Sequence, residues 1–464
     1  MIQIKENITP RNLQPKINTL FECAAQKIQA LEADQEQHRA SPVFTVEGKY
    51  TSRGWTEWTQ GFQFGCAILQ YDATGESRFL EYGRKQTLER MAPHLSHTGV
   101  HDHGFNNIST YGNLLRLMTE GRIAENEWEK NYYHLALKLS GAVQASRWTT
   151  VSDGLGYIYS FNGPHSLFAD TIRSLRVLAV AHRLGHVLMA EQDHRINLLQ
   201  RALQHAETTA RYNVYFGKGR DTYDVRGRVT HESIFNVNNG SYRCPGTQQG
   251  YSPFSTWTRG HAWILLGYAE QLEFMQTLSA EEAAEVAPRL FTGKESIIRR
   301  FLEVCTAAAD FYLEQTPSDG IPYWDTGAPG LSKLGNYLER PADPFNDHEP
   351  VDSSAAAISA QGLLRLGRYL ELQGKRLPAK RYFQAGLTIA DRLFDEPYLS
   401  TDPGHQGLLL HSVYHRPNGW DHIPQGRKIP CGESSMWGDY HAMELGLMIL
   451  RLATDKPYYQ FFYK

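Results

Sequence analysis

The chain has few of the features that would place it in a narrow class. Its five cysteines (Cys23, Cys66, Cys244, Cys305, Cys431) are scattered, odd in number and without paired spacing. That argues against a disulfide framework and against a zinc knuckle. There is no basic tract and no acidic tail. The 47 basic and 50 acidic residues leave a net charge of −3, so nucleic acid is not an expected partner. No run of about 18 apolar residues occurs, and no membrane span is expected. The first residues, MIQIKENITPRNLQ, lack the apolar stretch of a signal peptide. A cytoplasmic protein is the expectation from these absences. No self-similarity recurs at a fixed period of about 34 to 45 residues, which argues against an open array of helical repeats.

What is present is helix after helix. Apolar spacing predicts helices over 13–34, 58–73, 76–92, 104–121, 126–147, 166–186, 192–213, 257–277, 295–316, 352–372, 377–395 and 436–453. Asp352 and Ser353 are good caps for the tenth. Alternating strand runs are few and short, the best being 44–46 and 228–230. Twelve helices in pairs predict an all-α fold, six helical hairpins closed into an (α/α)6 barrel. Segments 214–256 and 317–351 are rich in Gly, Pro, Asn and Tyr and are too long for idle connections. They are expected at one mouth of the barrel. No linker divides the chain, so the expected organisation is an N-terminal extension, 1–40, packed on a catalytic barrel, 41–464.

Aromatic content is 12%, and several aromatics sit beside chemistry-bearing residues. In STWTRGHAW, 255–263, Trp257 and Trp263 flank Arg259 and His261. A Trp face stacks on a sugar ring, and a guanidinium fork suits a carboxylate. The stretch reads either as an acidic-sugar site or as a helix start with Trp263 and Leu266 in the core. HDHGF, 101–105, follows His94 and His97 and admits three readings. It is a metal site, a catalytic carboxylate at Asp102, or a helix start capped by Asp102 with Gly104 allowing close packing. No HExxH pattern supports the first. Asp170 sits in an apolar stretch. Either it is buried with a raised pKa, as a general acid near neutral pH requires, or it faces water or pairs with Arg173 or Arg176. Further aromatics (Trp55, Trp58, Phe62, Tyr323, Trp324) and polar groups (His231, Gln249, Tyr251) fall in segments expected at the mouth.

These residues together resemble the unsaturated glucuronyl hydrolases of glycoside hydrolase family 88. The motifs are WTQGFQFG at 58–65, HDHGF at 101–105, the Asp170 segment, QGYSPFSTWTRGHAW at 249–263, PYWDTGAP at 322–329, VDSSAAAI at 351–358 and WGDYHAMEL at 437–445. The STWxRGxAW form distinguishes this family from the related unsaturated rhamnogalacturonyl hydrolases. The resemblance implies the (α/α)6 barrel and hydrolysis of lyase-generated oligosaccharides that carry a 4,5-unsaturated uronic acid at the nonreducing end. It implies Asp170 as general acid/base and Asp102 as the second essential carboxylate. It implies substrate contacts from Trp58, Phe62, His101, His231, Gln249, Trp257, Arg259 and Trp263. No metal or organic cofactor is implied, and the working form is a monomer or homodimer. Gln60, Phe161 and His261 depart from the family pattern and leave the leaving-sugar preference open. The competing readings are an inverting glycosidase acting on saturated acidic saccharides and a noncatalytic sugar-binding protein.

Overall fold

The computed structural model describes residues 1–35, 40–53, 57–286 and 291–463. Trp55 lies outside them. Among the described residues sixteen α-helices make the architecture: α1 (Pro10–Gln35), α2 (Gln60–Thr74), α3 (Ser77–Arg90), α4 (Ala92–Leu95), α5 (His103–Asn107), α6 (Asn113–Thr119), α7 (Glu127–Ser146), α8 (Thr171–Ser174), α9 (Arg176–Arg183), α10 (Leu198–Tyr212), α11 (Thr258–Thr277), α12 (Ala280–Val286), α13 (Lys294–Gln315), α14 (Ser353–Leu372), α15 (Arg376–Leu393) and α16 (Met436–Ala453).

Burial sorts them into two layers. In α2, α5–α6, α8–α9, α11, α14 and α16 nearly every residue is buried, polar ones included. A helix buried all round belongs to an inner ring. These six pack on one another in that order and α16 returns to α2, closing the barrel. The remaining long helices, α1, α3, α7, α10, α13 and α15, bury one face each and form the outer layer. Helix α1, from the segment 1–40, buries Ile17, Leu20, Phe21 and Ala24 and lies on α16 and α2.

Caps and close approaches fix the ends. Asp352 accepts the Ser354 and Ala355 amides at the start of α14, as its residue type predicts. Asn126, Asn197 and Ser435 cap α7, α10 and α16 in the same way. Gly104 sits so close to α8 that a Cβ there would fall 2.0 Å from the Ser174 carbonyl oxygen. Two predicted helices are not continuous. The 104–121 helix contains a π-helical turn, Ile108–Gly112, between α5 and α6. The 166–186 helix is replaced by a strand, a turn and the short pieces α8 and α9.

The strands are short: β1 (Phe44–Val46), β2 (Lys49–Thr51), β3 (Trp148–Thr150), β4 (Gly156–Ile158), β5 (Ser166–Phe168), β6 (Val187–Met189), β7 (Arg195–Asn197), β8 (Glu232–Phe235) and β9 (Tyr242–Gly246). The strand expected at 44–46 is β1. That expected at 228–230 is one isolated bridge, Val214 to Val229, just before β8. Strands β5, β8 and β9 form an antiparallel sheet, with Phe168 opposite Glu232.

The inner ring also holds charge. Arg173 lies 3.0 Å from Glu270 and 3.2 Å from Glu444, and Arg365 lies 2.6 Å from Glu273 and 3.9 Å from Glu270. Arg176 is 3.7 Å from Glu444. Three cations and three anions from α8, α9, α11, α14 and α16 thus neutralise one another out of water. Beside them Asp72 receives Arg116 and Arg451, both at 2.7 Å. Burial alone would raise the Glu444 carboxyl, but Arg173 and Arg176 outweigh it and hold it down at about 2. Its stabilisation is therefore full above the ordinary value of 4.5 and is lost as pH falls toward about 2. Glu444→Gln leaves an arginine uncompensated and should cost roughly 3–5 kcal/mol at pH 7. The gap from the parent protein should narrow as pH falls below 4.5. Urea unfolding at several pH values reads it; equal stability at pH 7 contradicts the assignment.

Candidate active site

A cavity of about 330 Å³ opens at the end of the barrel where the inner helices begin. The backbone brings its two carboxylates together. Asp102 immediately precedes α5, and Asp170 immediately precedes α8. Both occupy the capping position, but neither side chain caps, so both carboxylates are left for the cavity. The predicted capping role of Asp102 is thus met by its position and not by its side chain. Strand β5 delivers Asp170: Phe168 pairs with β8, and the Ala169 amide donates to the His231 carbonyl at 2.8 Å. The His101 carbonyl accepts from Ser174 Oγ at 2.7 Å and from Gln144 Nε2 at 3.0 Å. The 101–102 backbone is therefore tied to α8 and α7.

His101 stands between the carboxylates. Its Nε2 is 3.8 Å from Asp102 Oδ1 and 3.5 Å from Asp170 Oδ1, within ion-pair reach of both. Burial would lower its pKa, but Asp102 and Asp170 reverse that and the imidazole is raised above its usual value. Burial raises Asp102, with His101 opposing. Burial pushes Asp170 the same way, but there His101 wins and the carboxyl is held below the usual range. The expectation of a raised pKa at Asp170 is corrected: an adjacent imidazolium outweighs burial. Arg173 and Arg176 are not its partners, since both face Glu270 and Glu444.

The remaining expected residues divide. Trp58, His101, Gln249, Trp257, Arg259 and Trp263 line the cavity with the two aspartates. Phe62 does not. It is fully buried and packs against Trp58 at 5.9 Å and Tyr440 at 4.9 Å, so it supports the wall from behind. His231 is also behind the wall. Its Nδ1 accepts the Gln248 and Gln249 amides at 3.0 and 3.3 Å, and its ring packs on Phe168 and Trp257. Burial drives its pKa to about 3, so it stays neutral.

Arg259 is sandwiched between Trp257 and Trp437, its guanidinium 4.6 and 4.7 Å from their ring centres. It donates to Gln249 Oε1 at 2.9 Å, to the Tyr414 carbonyl at 2.8 Å and to the Val413 carbonyl, and it pairs with Asp352 at 3.3 Å. The carboxylate that its fork meets in the protein is thus Asp352.

The histidines near HDHGF do not converge. His94 meets Gln60 and Asn106, and His103 meets Ser140 and the His97 carbonyl. Among the described residues no three His, Cys, Asp or Glu side chains gather as metal ligands do. Tyr323 and Trp324 are buried away from the cavity, with Trp324 Nε1 donating to Glu349. Tyr251 is half exposed. Sequence reasoning missed Tyr414, His415 and Trp420, which form a further wall. The aromatic run YHRPNGW around a Pro-Asn-Gly turn was the available signal. Phe161, noted only as a departure, lines the cavity and stacks on His101 at 6.1 Å.

If the two carboxylates hold the His101 proton, Asp102→Asn and Asp170→Asn should each lower the imidazole pKa. NMR titration of His101 measures this, and an unchanged value in both variants excludes the triad.

No family model matches the chain. Curated relatives do. An unsaturated glucuronyl hydrolase of Bacillus sp. (strain GL1) is 27% identical over 421 residues, 88% of this chain and 90% of that protein. One of Formosa agariphila is 24% identical over 391 residues, 84% of this chain and 78% of that protein. Among solved structures, an unsaturated glucuronyl hydrolase from Streptococcus agalactiae superposes with a TM-score of 0.69 at 19% identity, covering 98% of each chain. Over most of its length the chain is similar to unsaturated glucuronyl hydrolases, and it shares their barrel fold.

Proposed function

We propose that this chain hydrolyses oligosaccharides ending in a 4,5-unsaturated uronic acid, by hydrating the carbon 4–carbon 5 double bond. The observation that carries the reading is the Asp102–His101–Asp170 cluster on a cavity walled by tryptophans. The reacting group is an enol ether. Protonation of carbon 4 by Asp170 leaves positive charge at carbon 5 and the ring oxygen. Water adds to carbon 5 and gives its proton back to the same carboxylate. The hemiketal so formed opens to a ketone, and the hemiacetal left at carbon 1 expels the remaining saccharide. His101 holds Asp170 ionised. Arrival of the substrate carboxylate adds negative charge and raises the proton affinity of every acid nearby. His101, 3.5 Å away, is placed to supply that proton.

The raised pKa of Asp102 favours a second reading, in which Asp102 is the acid and Asp170 stabilises the cation. The three groups titrate as a unit, so a variant is needed to divide the roles. Asp170→Asn is nearly isosteric. It should keep the fold and lower turnover at least about a hundredfold. The alkaline limb of the kcat profile should vanish in the variant that lacks the acid and only shift in the other.

The reaction class has its own test. Turnover in deuterated water should place deuterium at carbon 4, and oxygen-18 water should label carbon 5. Efficient cleavage of a saturated glucuronide without deuterium at carbon 4 would instead establish an inverting glycosidase.

In this reading segment 1–40 works as one unit with 41–464, because α1 is buried against α16 and α2. The five cysteines are free thiols, which supports a reducing compartment such as the cytoplasm. No helix among the described residues is long and apolar enough to cross a membrane.

A further inference from the structure

PYWDTGAP was expected to bring aromatics to the mouth, yet Tyr323 and Trp324 do not face the cavity. Asp325 gives the motif a different use. Its side chain is fully buried. Oδ1 accepts the Gly327 amide at 2.8 Å, which holds its own loop. Oδ2 accepts the Tyr251 amide, also at 2.8 Å, from the turn 247–255. That turn carries Gln248 and Gln249 into the cavity wall, and Gln249 receives Arg259.

Other contacts between the two loops point the same way. The Thr256 amide donates to Thr326 Oγ1, and the Thr326 amide donates to the Thr256 carbonyl, each at 3.0 Å. The Thr258 amide donates to the Trp324 carbonyl at 3.0 Å, which fixes the first residue of α11, one before Arg259. Gly250 seats the turn on the carboxylate. A Cβ there would stand 3.0 Å from Asp325 Oδ2, 2.9 Å from Trp257 Cβ and 2.7 Å from Thr247 Oγ1.

We propose that Asp325 is a positioning residue for the reaction: its carboxylate pins the turn 247–255 against the mouth and thereby sets where Gln248, Gln249 and Arg259 meet the substrate. The proposal rests on the hydrolase reading above. A carboxylate is required because two amide hydrogens approach two different oxygens. An asparagine offers one acceptor and turns a donor toward the other amide. The lost contact releases the turn while the barrel helices keep their own packing.

The test compares Asp325→Asn and Gly250→Ala with the parent protein on an unsaturated uronyl disaccharide, following loss of the alkene absorbance. Thermal unfolding is measured alongside. Both variants should lower kcat/KM at least about tenfold, mostly through KM, as misplacement of a binding group does. Gly250→Ala displaces the turn from the opposite side, so it reports even where Asp325→Asn folds poorly. A folded Asp325→Asn or Gly250→Ala with KM within twofold of the parent overturns the proposal, as does loss of stability with KM unchanged. A parent protein that leaves the disaccharide intact overturns the hydrolase reading and this one with it.

Discussion

Arg173 and Arg176 flank the joint between α8 and α9, and Asp170 lies three residues before the first of them. Their charges are neutralised by Glu270 on α11 and Glu444 on α16. No ion of this set can be moved into a different environment without stranding another, because each is buried. The position of α8 in the ring is therefore set by charge as well as by packing. Asp170 inherits that position. The same network ties α11 to α14 through Glu273 and Arg365, so the helix that presents Arg259 is registered against the helix capped by Asp352. A buried ion pair is weak evidence of stability. Here its consequence is geometric: the charges define one registry of the inner helices, and the site is built on the ends of those helices.

At the mouth the balance is reversed. The lower network is close to neutral and its arginines are occupied, whereas Asp102 and Asp170 share a single imidazole. One imidazolium cannot satisfy two carboxylates equally. The group nearer His101 is held down and the other is left to the effect of burial. Two carboxylates thus acquire different proton affinities from one neighbour, the condition for dividing acid and anion roles between them. His231 and His103 cannot join the exchange. Both are buried and held neutral, with pKa values driven to about 3 and about 4.

Most of the helical framework was legible in the sequence because inner and outer helices carry strong periodicity or continuous apolar character. The segment 436–453 and the cap at Asp352 appear as read. The failure at 166–186 has a physical cause. Ser166–Phe168 is short and mostly apolar, and such a run does not distinguish a strand from a helix end. Its conformation is decided by pairing with Glu232–Ile234, more than 60 residues later, which no local pattern records. The pKa of Asp170 was misjudged for the same reason: burial follows from its neighbours in sequence, but His101 reaches it only through the fold. The cavity residues Trp58, Trp257 and Trp263 could be read because they sit in unusual clusters. Tyr414, His415 and Trp420 lie in a segment without periodicity, and only the turn chemistry around Pro417 and Gly419 marked it. Asp325 was hidden by the aromatics beside it.

The inner helices share a direction that the separate motifs do not reveal. Trp58 lies just before α2, Asp102 before α5, Asp170 before α8, Trp257 before α11, Asp352 before α14 and Ser435 before α16. The starts of α2, α5, α8 and α11 therefore carry cavity residues, and Asp352 at the start of α14 holds Arg259. A helix start carries partial positive charge from its unpaired amides. The long helices α2 and α11 start at the cavity without a side-chain cap, and their ends add to the attraction for an anionic ligand. That matters because Arg259 is largely engaged by Asp352, Gln249 and two carbonyl groups. In the proposed reaction, recognition of a uronate then draws on those helix ends with Arg259 as a fixed charge behind them, while the tryptophan faces hold the sugar. The two acid residues tolerate proximity because His101 stands between them and lowers the proton affinity of each.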